Sequence, residues 1–211
     1  MRRALPVFVM SLLVYGFAAG TVQAQALLLP DRIEEDWQLI IANPDPTQNG
    51  PQITTSMSPT GDLVSSPFVA LDLNYREYPT YANGGMQVQV WQNKQLLASS
   101  SQGNGQFNTA NETITWTQSL SLSGGSISYG ISNGQSTTFG RFGQGNGLLS
   151  VSFSTALADL SGYIPDVSIA HSGATWESNH VTSMAIVQVR YFLNGQLILT
   201  DATRRDCALP P

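Results

Sequence analysis

The sequence predicts an all-β protein, a two-sheet antiparallel sandwich of the jelly-roll kind, and three observations predict it. Between residues 113 and 153 apolar side chains recur at every second position: Ile114, Trp116, Leu120 and Leu122, then Ile127, Tyr129 and Ile131, then Leu149, Val151 and Phe153. Ser or Thr fills most of the gaps, the pattern of strands with one buried and one wet face. Gly-Gly, Asn-Gly and Gly-Asn-Gly punctuate the runs, and these are turn residues that tolerate positive φ. No segment sustains a 3.6-residue period, so neither a helical bundle nor a doubly wound fold fits.

In chain order, residues 25–35 read as a lead-in ending in the acidic run Glu34-Glu35-Asp36, a solvated approach to a first strand over 37–41. Asn43-Pro44-Asp45-Pro46 and the Asn49-Gly50-Pro51 that follows make a loop, and 53–57 a second strand. Val69, Leu71, Leu73 and Tyr75 alternate as a core face, as do Met86, Val88 and Val90, and Gln92-Asn93 turns the chain into a strand over 94–99. A short helix is expected at 154–160 and a polar loop at 171–180. The last long strand spans 182–193 with Val187, Val189, Tyr191 and Leu193 inward, and Asn194-Gly195 makes a hairpin into 196–200. About a dozen short strands exceed what a minimal immunoglobulin-like domain holds, which favours a jelly roll. The sandwich is expected over 36–201, with a tail at 202–211.

Residues 1–24 carry Arg2 and Arg3, then an apolar stretch, then Val22-Gln23-Ala24, the layout of a signal peptide with a cleavage site. Its removal takes two Arg and no acid and moves the net charge from −5 to about −7. No membrane span is expected after cleavage. Charged residues make up 11% of the chain, against roughly 25% in ordinary soluble proteins. An acidic, Lys-poor surface neutralises few phosphates, which argues against a nucleic-acid partner. Cys207 has no cysteine to pair with and reads as a tail thiol.

No catalytic signature is legible. The carboxylate spacing of a glycoside hydrolase strand is absent, and Asp72 and Glu77 are too loosely spaced for that chemistry. His171, Trp176, Glu177 and His180 share a loop but lack the ligand number that zinc wants. Asn43, Asp45 and Asp62 suit turns better than calcium. Gly124-Gly125 and the glycines of 140–147 lack the Lys-Ser/Thr and helix of a phosphate cradle. No cofactor and no metal site is expected.

The run Ser132-Asn133-Gly134-Gln135-Ser136-Thr137-Thr138-Phe139-Gly140-Arg141-Phe142-Gly143, with Tyr163, Ser172-Gly173, Asn179-His180-Val181 and a closing long strand, resembles the C-terminal half of concanavalin A-like jelly rolls of secreted bacterial proteins. The resemblance implies a curved sheet whose concave face often binds glycans, and it carries over no particular residue.

The strand phases place amides, a carboxylate, a guanidinium and an indole on the wet parity. Trp91, Gln87, Gln89, Asp72 and Arg190 are therefore the candidate carbohydrate-binding residues, offering a flat apolar platform ringed by bidentate donors. The expectation is a secreted or periplasmic, non-catalytic binder of a polysaccharide or other cell-envelope component. The alternatives are a structural or assembly protein of the envelope and a polysaccharide hydrolase or lyase of the same fold.

Overall fold

The structure is a computed structural model that describes residues 29–45, 50–62, 66–75, 85–102, 105–143, 149–175 and 178–209. The predicted leader at 1–24 lies outside the described residues, as do Trp176 and Glu177. The chain forms two antiparallel sheets packed as a sandwich. Its strands are β1 (Arg32–Ile41), β2 (Gln52–Met57), β3 (Phe68–Leu73), β4 (Met86–Gln92), β5 (Gln95–Gln102), β6 (Glu112–Ser123), β7 (Ser126–Ser136), β8 (Gly140–Phe142), β9 (Ser150–Ser154), β10 (Gly173–Thr175), β11 (Val181–Leu193), β12 (Gln196–Asp201) and β13 (Arg205–Asp206). One short helix, α1 (Pro165–Ala170), lies between β9 and β10.

The larger sheet runs β12-β11-β1-β6-β7, with β8 and β9 side by side on the far edge of β7 and β13 on β11. The smaller sheet runs β10-β2-β3-β4-β5. The period-two pattern is what seals them together. Ile33, Trp37, Leu39 and Ile41 of β1, Ile114, Trp116 and Leu120 of β6, and Ile127, Tyr129 and Ile131 of β7 are buried against Val69, Leu71, Leu73, Val88 and Val90 of the smaller sheet. Each large apolar side chain so removed from water stabilises the fold by about 1.5–3 kcal/mol. Trp37 and Trp116 face each other in register across β1 and β6, their rings parallel with centroids 5.9 Å apart.

Tight turns fall where the dipeptides place them. Gly124 and Gly125 both take positive φ between β6 and β7, as do Asn194 and Gly195 between β11 and β12, the backbone a two-residue hairpin requires.

Four expectations are corrected. The acidic run Glu34-Glu35-Asp36 is no solvated lead-in: β1 starts at Arg32 and lies between β11 and β6, because Glu35 occupies an inward position of an alternation that begins at Ile33. The helix is not at 154–160. β9 persists to Ser154, and the helix forms at Pro165–Ala170, where Pro165 supplies a preset φ at the first turn. Val187 is half-buried because a bulge breaks the phase of β11 beside it, and Leu193 is exposed because it lies past Phe192, the last residue of β11 paired with β1. The tail returns to the sheet through β13, which buries Cys207 and, by desolvation, pushes its thiol up to about 12.

Candidate functional site

Adjacent residues on a strand point to opposite faces, so Glu35 enters the sandwich interior while Glu34, Asp36 and Gln38 stand on the outer face of the larger sheet. The two faces of β1 therefore carry two polar constellations, back to back.

Inside, Glu35 is fully buried and accepts hydrogen bonds from Trp37 Nε1 (2.8 Å), Gln118 Nε2 (2.5 Å) and Tyr163 OH (2.5 Å). Gln118 Oε1 in turn accepts from Tyr129 OH (3.0 Å) and from Thr55 Oγ1 (2.9 Å) on the smaller sheet. The network thus ties the two sheets together. Burial holds the Glu35 carboxyl above its ordinary range, with the surrounding donors pulling the other way, and burial next to Glu35 pushes the Tyr163 hydroxyl well up. With no part of Glu35 exposed, this carboxyl does not meet a ligand directly.

Outside, the register sets Arg190 of β11 opposite Glu34, and Gln188 opposite Asp36, while Thr117 of β6 faces Asp36 from the other side. Arg190 reaches both carboxylates. Its Nη1 and Nη2 donate to Asp36 Oδ2 and Oδ1, and its Nε donates to Glu34 Oε2 at 3.0 Å. Thr117 Oγ1 donates to Asp36 Oδ1 at 2.7 Å and Gln188 Nε2 to Asp36 Oδ2 at 2.7 Å. Partial burial opposes the charge of Arg190, yet its bonds to Asp36 and Glu34 leave its pKa above the ordinary value. Asn133 Nδ2 extends the chain by donating to Thr117 Oγ1 at 3.3 Å.

This constellation borders a groove of about 320 Å³ lined by Asp36, Gln38, Thr115, Thr117, Asn133, Gln135, Val187 and Arg190, with Trp37 and Trp116 contributing to its floor. Two bulges at one level of the sheet flank it. In the β1–β11 ladder Asp36 pairs with Gln188 and Trp37 with Ile186, so Val187 has no counterpart. In the β6–β7 ladder Thr115 pairs with Gln135 and Thr117 with Ser132, which leaves Asn133 and Gly134 against Trp116. Asn133 takes φ 55°, and a Cβ on Gly134 would lie 2.4 Å from the ring of Phe142. An extra residue in one strand interrupts the ladder and re-aims side chains, and here it happens on both sides of the β1–β6 pair.

The groove is polar and non-aromatic. Trp37 and Trp116 are only 1% and 2% exposed, so neither indole offers a face. All the strong acceptor positions of Asp36 are filled by Thr117, Gln188 and the bidentate Arg190. It holds the wall in place and has no lone pair left to take a proton from water. Among the described residues, no group of three or more His, Cys, Asp or Glu is placed to hold a metal ion.

Of the five residues expected to make one binding face, four share neighbouring strands, Asp72 pairing with Gln87, and Arg190 does not join them. Asp72 of β3 and Gln87, Gln89 and Trp91 of β4 belong to the smaller sheet, and Arg190 belongs to the larger. Asp72 is buried, accepts from Thr54 Oγ1 at 2.5 Å, and is raised by desolvation. Trp91 Nε1 donates to Gln89 Oε1 (3.1 Å), Gln89 Nε2 to Gln87 Oε1 (2.8 Å), and Gln87 Nε2 to Ser101 Oγ (3.3 Å), a ladder whose donors serve one another. Sequence reasoning found Arg190 but not its partners Glu34 and Asp36, nor Gln38, Asn133, Gln135 and Val187. The signal for β1 was there: Ile33, Glu35, Trp37, Leu39 and Ile41 share one parity.

No protein-family profile matches the chain, and no curated protein matches it. Among solved structures, scytalido-glutamic peptidase with a transition-state analogue inhibitor is similar at a TM-score of 0.37 and 13% identity, over 83% of this chain and 84% of that one. SCP-B, a member of the eqolisin family of peptidases, in a complex with the tripeptide Ala-Ile-His, is similar at a TM-score of 0.33 and 11% identity, over 83% of each chain. At these scores no residue role passes from them to this chain. The expected non-catalytic carbohydrate- or envelope-binding face does not stand as drawn: Arg190 belongs to the larger sheet, and Asp72, Gln87, Gln89 and Trp91 to the smaller.

Proposed function

We propose that the groove between the two bulges takes an extended polypeptide segment, and that the protein does so outside the cytoplasm. The observation that carries the reading is the groove's lining. Gln38, Asn133 and Gln135 each bring a donor and an acceptor, and Thr115 a hydroxyl, with no exposed ring among them. A peptide main chain presents donors and acceptors in alternation and is met by such side chains, whereas a sugar ring also wants an apolar platform. The leader-like residues 1–24 support export. Among the described residues no helix is long and apolar enough to cross a membrane.

The test is fluorescence anisotropy with a set of labelled, uncharged decapeptides, alongside neutral oligosaccharides of matching length. Micromolar peptide binding that weakens about tenfold in the double variant Gln38→Ala with Gln135→Ala, the loss of one or two hydrogen bonds, supports the reading. Binding of oligosaccharide alone, or peptide binding indifferent to both substitutions, overturns it.

A further inference from the structure

One row of residues crosses the outer face of the larger sheet at the level of the bulges. Gln38 of β1 pairs with Thr115 of β6, Thr115 with Gln135 of β7, and Gln135 with Arg141 of β8. Directly paired residues of an antiparallel ladder share a face, so Arg141 stands beside Gln135, one strand past the groove. The bulge puts it there. Counting on from Ser132, which pairs with the outward Thr117, strict alternation would turn Gln135 and its partner Arg141 into the sandwich. The extra residue at Asn133-Gly134 returns both to the outer face, where both are exposed, and leaves Gly134 and Phe142 buried.

Arg141 is also a guanidinium with nothing to hold. Among the described residues Arg32, Arg190, Arg204 and Arg205 each pair with a carboxylate, whereas the Arg141 side chain makes no ion pair or hydrogen bond. Glu112, the carboxylate where β6 begins, is buried and accepts from Ser136 Oγ (2.5 Å), Thr138 Oγ1 (2.6 Å) and the Thr138 amide (3.0 Å). At the opposite end of the row Arg204 Nη1 donates to Gln38 Oε1 at 3.3 Å, and Asp206 balances its charge at 2.9 Å. One end of the row is therefore neutralised and the other carries a spare positive charge.

From this we infer that Arg141 holds a carboxylate of the extended segment in the groove, an inference that rests on the peptide reading above and adds an acidic group to what the groove selects. A guanidinium meets a carboxylate with two parallel hydrogen bonds, a geometry no neutral side chain of the segment reproduces. From Gln38 to Arg141 the row spans three strand spacings, ~14 Å, which an extended chain covers in about four residues. The carboxylate thus lies about four residues from the part of the segment over Gln38, and it is supplied by the segment's own C-terminus or by an Asp or Glu side chain. The chain's net charge of −5 opposes an acidic segment only from afar. Charges beyond ~8 Å are largely screened at physiological ionic strength, and the unpaired charge at this end of the row is positive.

Fluorescence anisotropy with three labelled decapeptides of one neutral sequence tests this: one amidated at the C-terminus, one with that terminus free, and one amidated with a Gln near each end replaced by Glu. The quantity read is the ratio of each acidic peptide's affinity to that of the amidated neutral one. At physiological ionic strength the ratio is expected to reach about fivefold for at least one acidic peptide. It should fall toward one in 1 M salt and in Arg141→Gln, whose near-ultraviolet circular dichroism shows it folded, and persist in Lys94→Gln, a change at the turn after β4 of the smaller sheet. A gain confined to the free terminus assigns Arg141 the segment's chain end, and a gain with Glu assigns it a side chain; either supports the inference. Neutral and acidic peptides that bind equally, or a ratio that survives Arg141→Gln, overturn it and leave the peptide reading standing. Failure of all three peptides to bind overturns both.

Discussion

Replacing Glu35 tests whether the polar network inside the sandwich is as tightly closed as its geometry says. Glu35→Ala removes the acceptor of three buried donors, Trp37 Nε1, Gln118 Nε2 and Tyr163 OH. An orphaned buried donor costs about 1–3 kcal/mol. The three share one site, and Tyr163 can turn its hydroxyl, so the sum is not additive. A loss of about 3–6 kcal/mol is expected, a large part of the roughly 5–15 kcal/mol that holds an ordinary domain. Glu35→Gln keeps the shape, accepts from Trp37 and Gln118 through its one oxygen and donates to the Tyr163 oxygen, so it costs about 1 kcal/mol. The two variants also differ in pH dependence. Burial holds Glu35 above its usual 4.5, so the folded chain grips this proton more tightly than the unfolded one. The stabilisation is complete below about 4.5 and is lost as the pH rises through the folded value. Glu35→Gln resembles the protonated form, so its deficit against the wild type is largest in acid and shrinks as pH rises. Urea unfolding followed by tryptophan fluorescence at several pH values reads both effects. The reasoning is refuted if Glu35→Ala unfolds within 1 kcal/mol of the wild type, the low end of a single orphaned donor, or if the Gln deficit grows with pH.

Two further outcomes follow from the packing. Gly134→Ala drives a Cβ to 2.4 Å from the Phe142 ring, and overpacking of this kind costs about 1–3 kcal/mol; thermal unfolding measures the loss, which Phe142→Leu in the same chain should relieve in part. The Cys207 thiol, buried and pushed up to about 12, is expected to resist a thiol-specific aromatic disulfide reagent at mildly alkaline pH in the folded protein and to react at once in urea. Fast labelling of the folded chain would show that β13 does not hold the tail down.

The middle of the molecule was legible because its two faces differ in chemistry at every step. From Ile114 to Leu120, from Ile127 to Ile131 and from Leu149 to Phe153 the apolar parity is buried, and Gly124-Gly125 falls at the turn between β6 and β7. Legibility failed where side-chain chemistry and strand position disagree. Glu35 sits on the apolar parity of β1, and a carboxylate there disguises an inner position unless the partners that satisfy it are known. Those partners are remote in sequence, Gln118 and Tyr163 being 83 and 128 positions away. Bulges were equally hidden. Val187 has the phase of a core residue until the ladder slips by one beside it, and Asn133-Gly134 reads as a hairpin dipeptide although the strand runs on through it. The groove is made by those two slips, so its lining was out of reach of periodicity. Placing Arg190 with Trp91 failed for a different reason: parity says that a side chain faces out, and not from which of two sheets.

Backbone amide chemical-shift mapping, on a nitrogen-15-labelled chain titrated with an uncharged decapeptide that binds, tests the groove most directly. The account predicts that the largest shifts fall on Gln38, Thr115, Asn133, Gln135 and Val187, with the amides of Gln87, Gln89 and Trp91 undisturbed. Shifts centred on β4, with the two bulged segments silent, would contradict it.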